Sequence, residues 1–92
     1  MKVFIREAAF ADLEAISTWI AKDNPGAPRS VISRILDAIE RLGEFPGLGH
    51  EGKVAGTREW VVRRLPYIIV YEVDAAHDEL GVLAVLHGAR NR

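Results

Sequence analysis

Residues 63–92, RRLPYIIVYEVDAAHDELGVLAVLHGARNR, constrain the fold more than any other stretch of the chain. They hold two apolar runs, 67–73 and 80–86, separated by the polar break 74–79. Each run is too short and too rich in β-branched residues for a lone helix, so the pair predicts a buried β-hairpin. Arg63 and Arg64 precede the first strand; Arg90 and Arg92 follow the second. The entry of one antiparallel strand and the exit of the next lie at the same end. The spacing therefore predicts four guanidiniums and His87 gathered at one rim of the sheet, the first candidate for a functional surface.

Upstream the apolar residues take the period of a helix. Residues 2–5 read as a short strand, and from about Ala8 the spacing of Phe10, Leu13, Ile16 and Ile20 makes one apolar stripe, with Trp19 at its margin. Pro25 biases Asn24 away from helical backbone and ends this helix. A second helix starts near Ala27 or Pro28. Its stripe is Val31, Ile32, Ile35, Leu36, Ile39 and Leu42, with Gly43 as a C-terminal cap and Pro46 as a stop. Burying one large apolar side chain contributes roughly 1.5–3 kcal/mol, so these stripes need a sheet to lie on.

Residues 46–56 read as a flexible connection without periodicity. GLGHEG within it matches GxGxxG formally, but a dinucleotide fingerprint needs a strand before it and a helix after it, and here the order is reversed. Residues 57–64, TREWVVRR, form the next strand. Arg58, Trp60, Val62 and Arg64 are predicted on one face, with Glu59, Val61 and Arg63 on the other. The order βααβββ predicts an α+β fold in which a helical hairpin packs on a mainly antiparallel four-stranded sheet. With 92 residues, the chain is read as one domain, 1–92.

A net charge of −1 argues against a protein that lives on nonspecific phosphate contact. The absence of cysteine fits a reducing compartment. The start, MKVFIREAAF, lacks the apolar core of a signal peptide, and no run approaches a membrane span. A cytoplasmic protein with no membrane contact is expected. His50 and His77 lack ligand spacing, so no metal or cofactor is expected.

Particular words accompany this order: AAFADLEAISTWIAKDNPGAP, ILDAIERLGEFPGLGHEG, TREWVVRRLPYIIVYEVD and GVLAVLHGARNR. Their combination of DL, NP, FPGLG, R-x₈-Y-x-x-x-Y and LHGAR resembles the RelE/ParE superfamily of bacterial toxins, closest to its ParE, or plasmid-stabilisation, branch. The resemblance covers nearly the whole chain. It implies the toxin of a type II toxin–antitoxin module, causing growth arrest. The toxin is held in a hetero-oligomer by a cognate ParD-like antitoxin whose disordered C-terminal segment folds against it.

Two target classes occur on this fold. RelE-like members cut messenger RNA in the ribosome, and ParE-like members bind DNA gyrase. Metal-free RNA cleavage needs an attacking group, a cation for the phosphorane and an acid for the leaving oxygen. The resemblance places an arginine of the nucleases at Ile68 and another at Arg90, with a catalytic tyrosine beyond Arg92. The loop lysines of the nucleases reduce here to Lys53. The reading is a gyrase-binding inhibitor without catalytic residues and without sequence-specific nucleic-acid binding. The alternative is a metal-independent endoribonuclease using His87 and Arg90, or an inert homologue that only binds antitoxin. The target-binding rim is expected to comprise Arg58, Arg63, Arg64, Tyr67, Tyr71, His87 and Arg90. Trp19, Ile20 and Trp60 are the expected antitoxin anchors. An antitoxin segment would cover an exposed edge at 57–62 or 2–5.

Overall fold

The protein is described by a computed structural model covering residues 1–89. The element order is β1 (Lys2–Ile5), α1 (Glu7–Asp23), α2 (Pro28–Glu44), β2 (His50–Glu51), β3 (Arg58–Val61), β4 (Tyr67–Asp74) and β5 (Glu79–His87). The strands make one sheet in the order β1-β5-β4-β3-β2. All pairings are antiparallel except that of β1 with β5. The α+β architecture is as predicted. The sheet has five strands rather than four, because His50 and Glu51 in the glycine-rich loop pair with Glu59 and Arg58.

The β4–β5 hairpin is the centre of the molecule. Tyr67, Ile69, Tyr71 and Val73 alternate onto the helix-covered face of β4 and join the core. On β5 the phase breaks. Val70 faces Ala84 while Tyr71 faces Val82, so Leu83 is an extra, bulged residue. The bulge lets Leu80, Val82 and Val85 all enter the same core. The hairpin turn is a short 3₁₀ segment, Ala75–His77, over which the Asp74 carboxylate accepts from the His77 backbone N–H and ring. The ring hydrogen bond is the main cause that holds the Asp74 carboxyl below its ordinary value.

The two helices close one face of the sheet. Ala9, Leu13 and Ile16 of α1 are buried, and Ile20 packs half-buried beside them. Phe10, expected in this stripe, is 57% exposed. The spacing 9, 13, 16, 20 follows one helical face, and Phe10 lies about 100° around from Ala9. On α2, Ile35, Ile39 and Leu42 are buried as expected, but Leu36 faces outward. Gly43 is not a cap. It lies within the last turn of α2, where an added Cβ would come within 2.6 Å of Val3 Cγ2. The Met1 ammonium donates to its carbonyl at 3.0 Å.

Loop 46–56 is not the flexible connection the sequence suggested. The Tyr71 hydroxyl, fully buried, donates to Pro46 O at 2.7 Å and accepts from Gly49 N at 2.9 Å. Arg58 donates to the carbonyls of Gly47 and Gly49. The glycines serve close packing: a Cβ on Gly49 would stand 2.5 Å from the Tyr71 hydroxyl and 2.8 Å from Glu59 O, whereas Gly47 faces open space. Gly49→Ala should therefore cost about 1–3 kcal/mol by overpacking, and Gly47→Ala less than about 0.5 kcal/mol. Urea unfolding of the two variants checks the contrast.

Candidate functional site

The hairpin does bring a rim together. Tyr67 and His87 are register partners at the open end of β4 and β5, with ring centroids 5.6 Å apart and planes at 88°. His87 Nδ1 accepts from the Ala89 N–H at 3.2 Å, leaving Nε2 as the ring atom free to face a ligand. Just before β4, residues 62–65 form a tight turn closed by Leu65 N to Val62 O at 3.1 Å. The expected strand 57–64 thus stops at Val61, and Arg63 and Arg64 are turn residues. Both are exposed. Arg64 takes a positive φ of 62°, a conformation that costs a residue with a Cβ roughly 1–2 kcal/mol. Arg34 of α2 buttresses the turn by donating to Arg63 O at 2.6 Å.

Two expected rim residues belong elsewhere. Arg58 pairs with Tyr71, four positions back along β3 from Val62, about 13 Å at the rise of a strand. Arg58 binds the glycine loop, with its Nε buried and without a hydrogen-bond partner. Tyr71 is wholly buried, so neither its ring nor its hydroxyl can meet a target in this fold. Tyr67 is 4% exposed and supports His87 more than it presents itself. Arg90 and Arg92 lie outside the described residues. Ile68 is 5% exposed, on the face of the sheet away from the helices, between register partners Val61 and Leu86.

A groove that the sequence did not announce adjoins the rim. Arg34, Asp37, Ala38 and Arg41 of α2 form one wall, and Trp60–Arg64 with Leu48 form the other, enclosing about 960 Å³. Four guanidiniums thus face one carboxylate. Phe45, just after α2, is 53% exposed, with the Arg41 guanidinium 5.7 Å from its ring centroid. Trp60 lines this groove; Trp19 does not. Trp19 stands 52% exposed on α1 beneath Lys22, whose Nζ lies 5.5 Å from its ring. Ile20 packs against the core. The signal for the groove was present in Arg34 and Arg41, seven apart and so on one helical face, but such pairs also mark any solvated helix surface.

Among the described residues no group of three His, Cys, Asp or Glu side chains is placed to hold a metal ion. Nor is any helix long and apolar enough to cross a membrane. The family model of the ParE toxin of the type II toxin–antitoxin system parDE matches residues 3–92. The chain belongs to the ParE toxin family. The protein Y4kP of Sinorhizobium fredii (strain NBRC 101917 / NGR234) is 37% identical over 79 residues, covering 86% of this chain and 79% of that protein. Among solved structures, the chromosomal ParDE toxin–antitoxin system from P. aeruginosa superposes with a TM-score of 0.85 at 22% identity, over 95% of each chain. The toxin–antitoxin complex RelBE2 from Mycobacterium tuberculosis gives 0.57 at 24% identity, over 94% of this chain and 95% of that one. At these identities the two structures establish the fold that the toxin shares with them.

In a ParE-family toxin the strained Arg64 is a site where stability and charge compete. Arg64→Gly should raise stability by roughly 1 kcal/mol, because glycine tolerates the positive φ. Paired urea curves for the parent and the variant measure it; an unchanged midpoint would mean the turn is unstrained.

Proposed function

We propose that this ParE-family toxin arrests growth by binding DNA gyrase in the cytoplasm, as a non-catalytic inhibitor neutralised by a cognate ParD-like antitoxin. One observation carries the preference for binding over cleavage. The position after Tyr67, where RelE-like nucleases carry an arginine, is Ile68, nearly fully buried between Val61 and Leu86. A phosphorane formed beside Tyr67 would meet hydrocarbon there rather than a guanidinium. His87 sits against the Tyr67 ring, with Nδ1 engaged by the Ala89 amide. Arg63, Arg64, His87 and Arg90 are then recognition groups for the target, and the exposed Trp19 and half-buried Trp60 are anchors for the antitoxin. Arginine and tryptophan are the side chains over-represented where binding energy concentrates.

The toxin added to purified gyrase should inhibit supercoiling or trap cleaved DNA, and should leave an in vitro translation reaction running. Arg63→Ala with Arg64→Ala should raise the half-inhibitory concentration about tenfold or more. Arrest of translation with gyrase untouched would overturn the reading in favour of a ribosome-dependent nuclease. Cuts in ribosome-bound messenger RNA would then vanish in His87→Ala and Arg90→Ala. Unimpaired growth on induction without antitoxin would overturn both readings.

A further inference from the structure

The pair Asp12-Leu13 of α1 serves two layers at once. Leu13 is buried in the core. Asp12, half-buried beside it, reaches across to β5, where its Oδ2 accepts from the Val85 N–H at 2.9 Å. This contact answers a specific deficit in the sheet. The parallel pairing of β1 with β5 runs only as far as Ile5 opposite Val82, and the chain turns into α1 after Arg6 N donates to Val82 O. Beyond Val82 comes the extra residue Leu83, and residues 84–87 pair with β4 alone. The ladder phase shows which groups this leaves open. Val62 N donates to Tyr67 O at 2.9 Å, so Tyr67 is bonded toward β3, and bonded pairs alternate with non-bonded ones. Val61, opposite Ile68, therefore turns its N–H and C=O away from β4. On the other side, Val85 and His87, opposite Ile69 and Tyr67, turn theirs away from β4 toward the side of β1. β1 has already ended there. The Asp12 carboxylate stands in for the missing strand at Val85. Ala9, one turn earlier and fully buried, has no bulk to hold α1 off the sheet.

From this geometry we infer that Asp12 is a positioning residue of the recognition rim, holding the end of β5 so that His87 meets Tyr67. His87 lies two residues beyond Val85, about 7 Å along the strand. Its ring stands edge-on to that of Tyr67, with 5.6 Å between centroids. Past the bulge the strand has β4 on one side and Asp12 on the other. A bulge bends its strand and increases the local twist, so the course of residues 84–87 is set by what grips them after Leu83. A carboxylate makes a stronger hydrogen bond to an amide than a carbonyl does, which suits a single point of support. Val85 also enters the core, so one residue is held through both its side chain and its backbone. Truncating Asp12 leaves that half-enclosed N–H without its acceptor and frees the strand end to twist. The importance of His87 at the rim rests on the gyrase-binding reading above; the placement of His87 by Asp12 does not.

The test compares the ¹⁵N-labelled full chain with its Asp12→Ala and Asp12→Asn variants by nuclear magnetic resonance. In Asp12→Ala the Overhauser contacts between the Tyr67 and His87 rings should be lost. The Val85 amide should exchange about tenfold faster than in the parent, as one hydrogen bond is worth about that factor. The Leu80 and Val82 amides, on the part of β5 that β1 covers, should keep their rates. Asparagine keeps an acceptor oxygen at the same reach, so Asp12→Asn should restore the ring contacts. Against purified gyrase, Asp12→Ala should raise the half-inhibitory concentration about fivefold through lost preorganisation, with Asp12→Asn within about twofold of the parent. Should Asp12→Ala fail to fold, Asp12→Ser, whose hydroxyl reaches one bond less far than the carboxylate, is read in the same way. Ring contacts that persist in Asp12→Ala overturn the inference, and so does their loss in Asp12→Asn. Equal acceleration at Leu80, Val82 and Val85 also overturns it, since that marks a general loss of stability. The rings and amides are read without gyrase, so they decide on Asp12 even where the toxin leaves gyrase untouched. Where the parent inhibits gyrase and Asp12→Ala inhibits it equally despite lost ring contacts, the positioning role falls.

Discussion

Much of this molecule depends on one phenol. Tyr71 lies on the central strand with its ring in the core, and a buried hydroxyl must find partners or forfeit a hydrogen bond's worth of stability. It finds two, Pro46 O and Gly49 N, on the loop between α2 and β3. That bridge pins the loop to the centre of the sheet, and Arg58 adds a second clamp from the neighbouring strand. Because Gly49 is held, His50 and Glu51 are delivered in register to β3 and the fifth strand exists. Because Gly49 is pulled inward, that strand is only two residues long, and Leu48 is set on the wall of the groove. A loop without periodicity thus sets the β3 edge and one wall of the groove.

The large features were legible because burial imposes period. The runs at 67–73 and 80–86 became β4 and β5 with boundaries moved by about one residue, and both helices fell where their stripes placed them. What escaped had a different physical origin in each case. Phe10 outranks Ala9 on any hydrophobicity scale, but the helix phase set by Leu13, Ile16 and Ile20 buries position 9, and size does not override phase. Gly43 looked like a cap by its position, yet it is glycine because Val3 crosses the helix there. The strand predicted to reach Arg64 ended early, since no pattern in TREWVVRR reveals that Arg64 will accept a positive φ.

The same contrast applies to the site. The common rim of Arg63, Arg64, Tyr67 and His87 followed from hairpin topology alone, which puts the two strand ends together. Arg58 and Tyr71 are close to that rim in sequence but pair with each other further along β3 and β4. They belong to the loop clamp, and their polar atoms face inward. The groove was invisible for the complementary reason. Arg34, Arg41, Leu48 and Trp60 come from three separate elements, and only the crossing of α2 over the β3 edge assembles them. Ordinary surface residues gain meaning there through contact rather than through spacing.

An open strand edge is a hazard that proteins usually cover, charge or twist away. This chain does some of each: β2 covers Arg58 and Glu59, Lys2 charges the far edge, and the Arg63–Arg64 turn curls β3 away after Val61. The remaining gap at Val61 is the one outward position these devices leave uncovered on β3. Beside it lie the guanidiniums of Arg34, Arg41, Arg63 and Arg64 and the single carboxylate of Asp37, so the potential at this edge is positive. Holding that arrangement requires a strained arginine at φ 62° and a buttress from α2 to its neighbour's carbonyl.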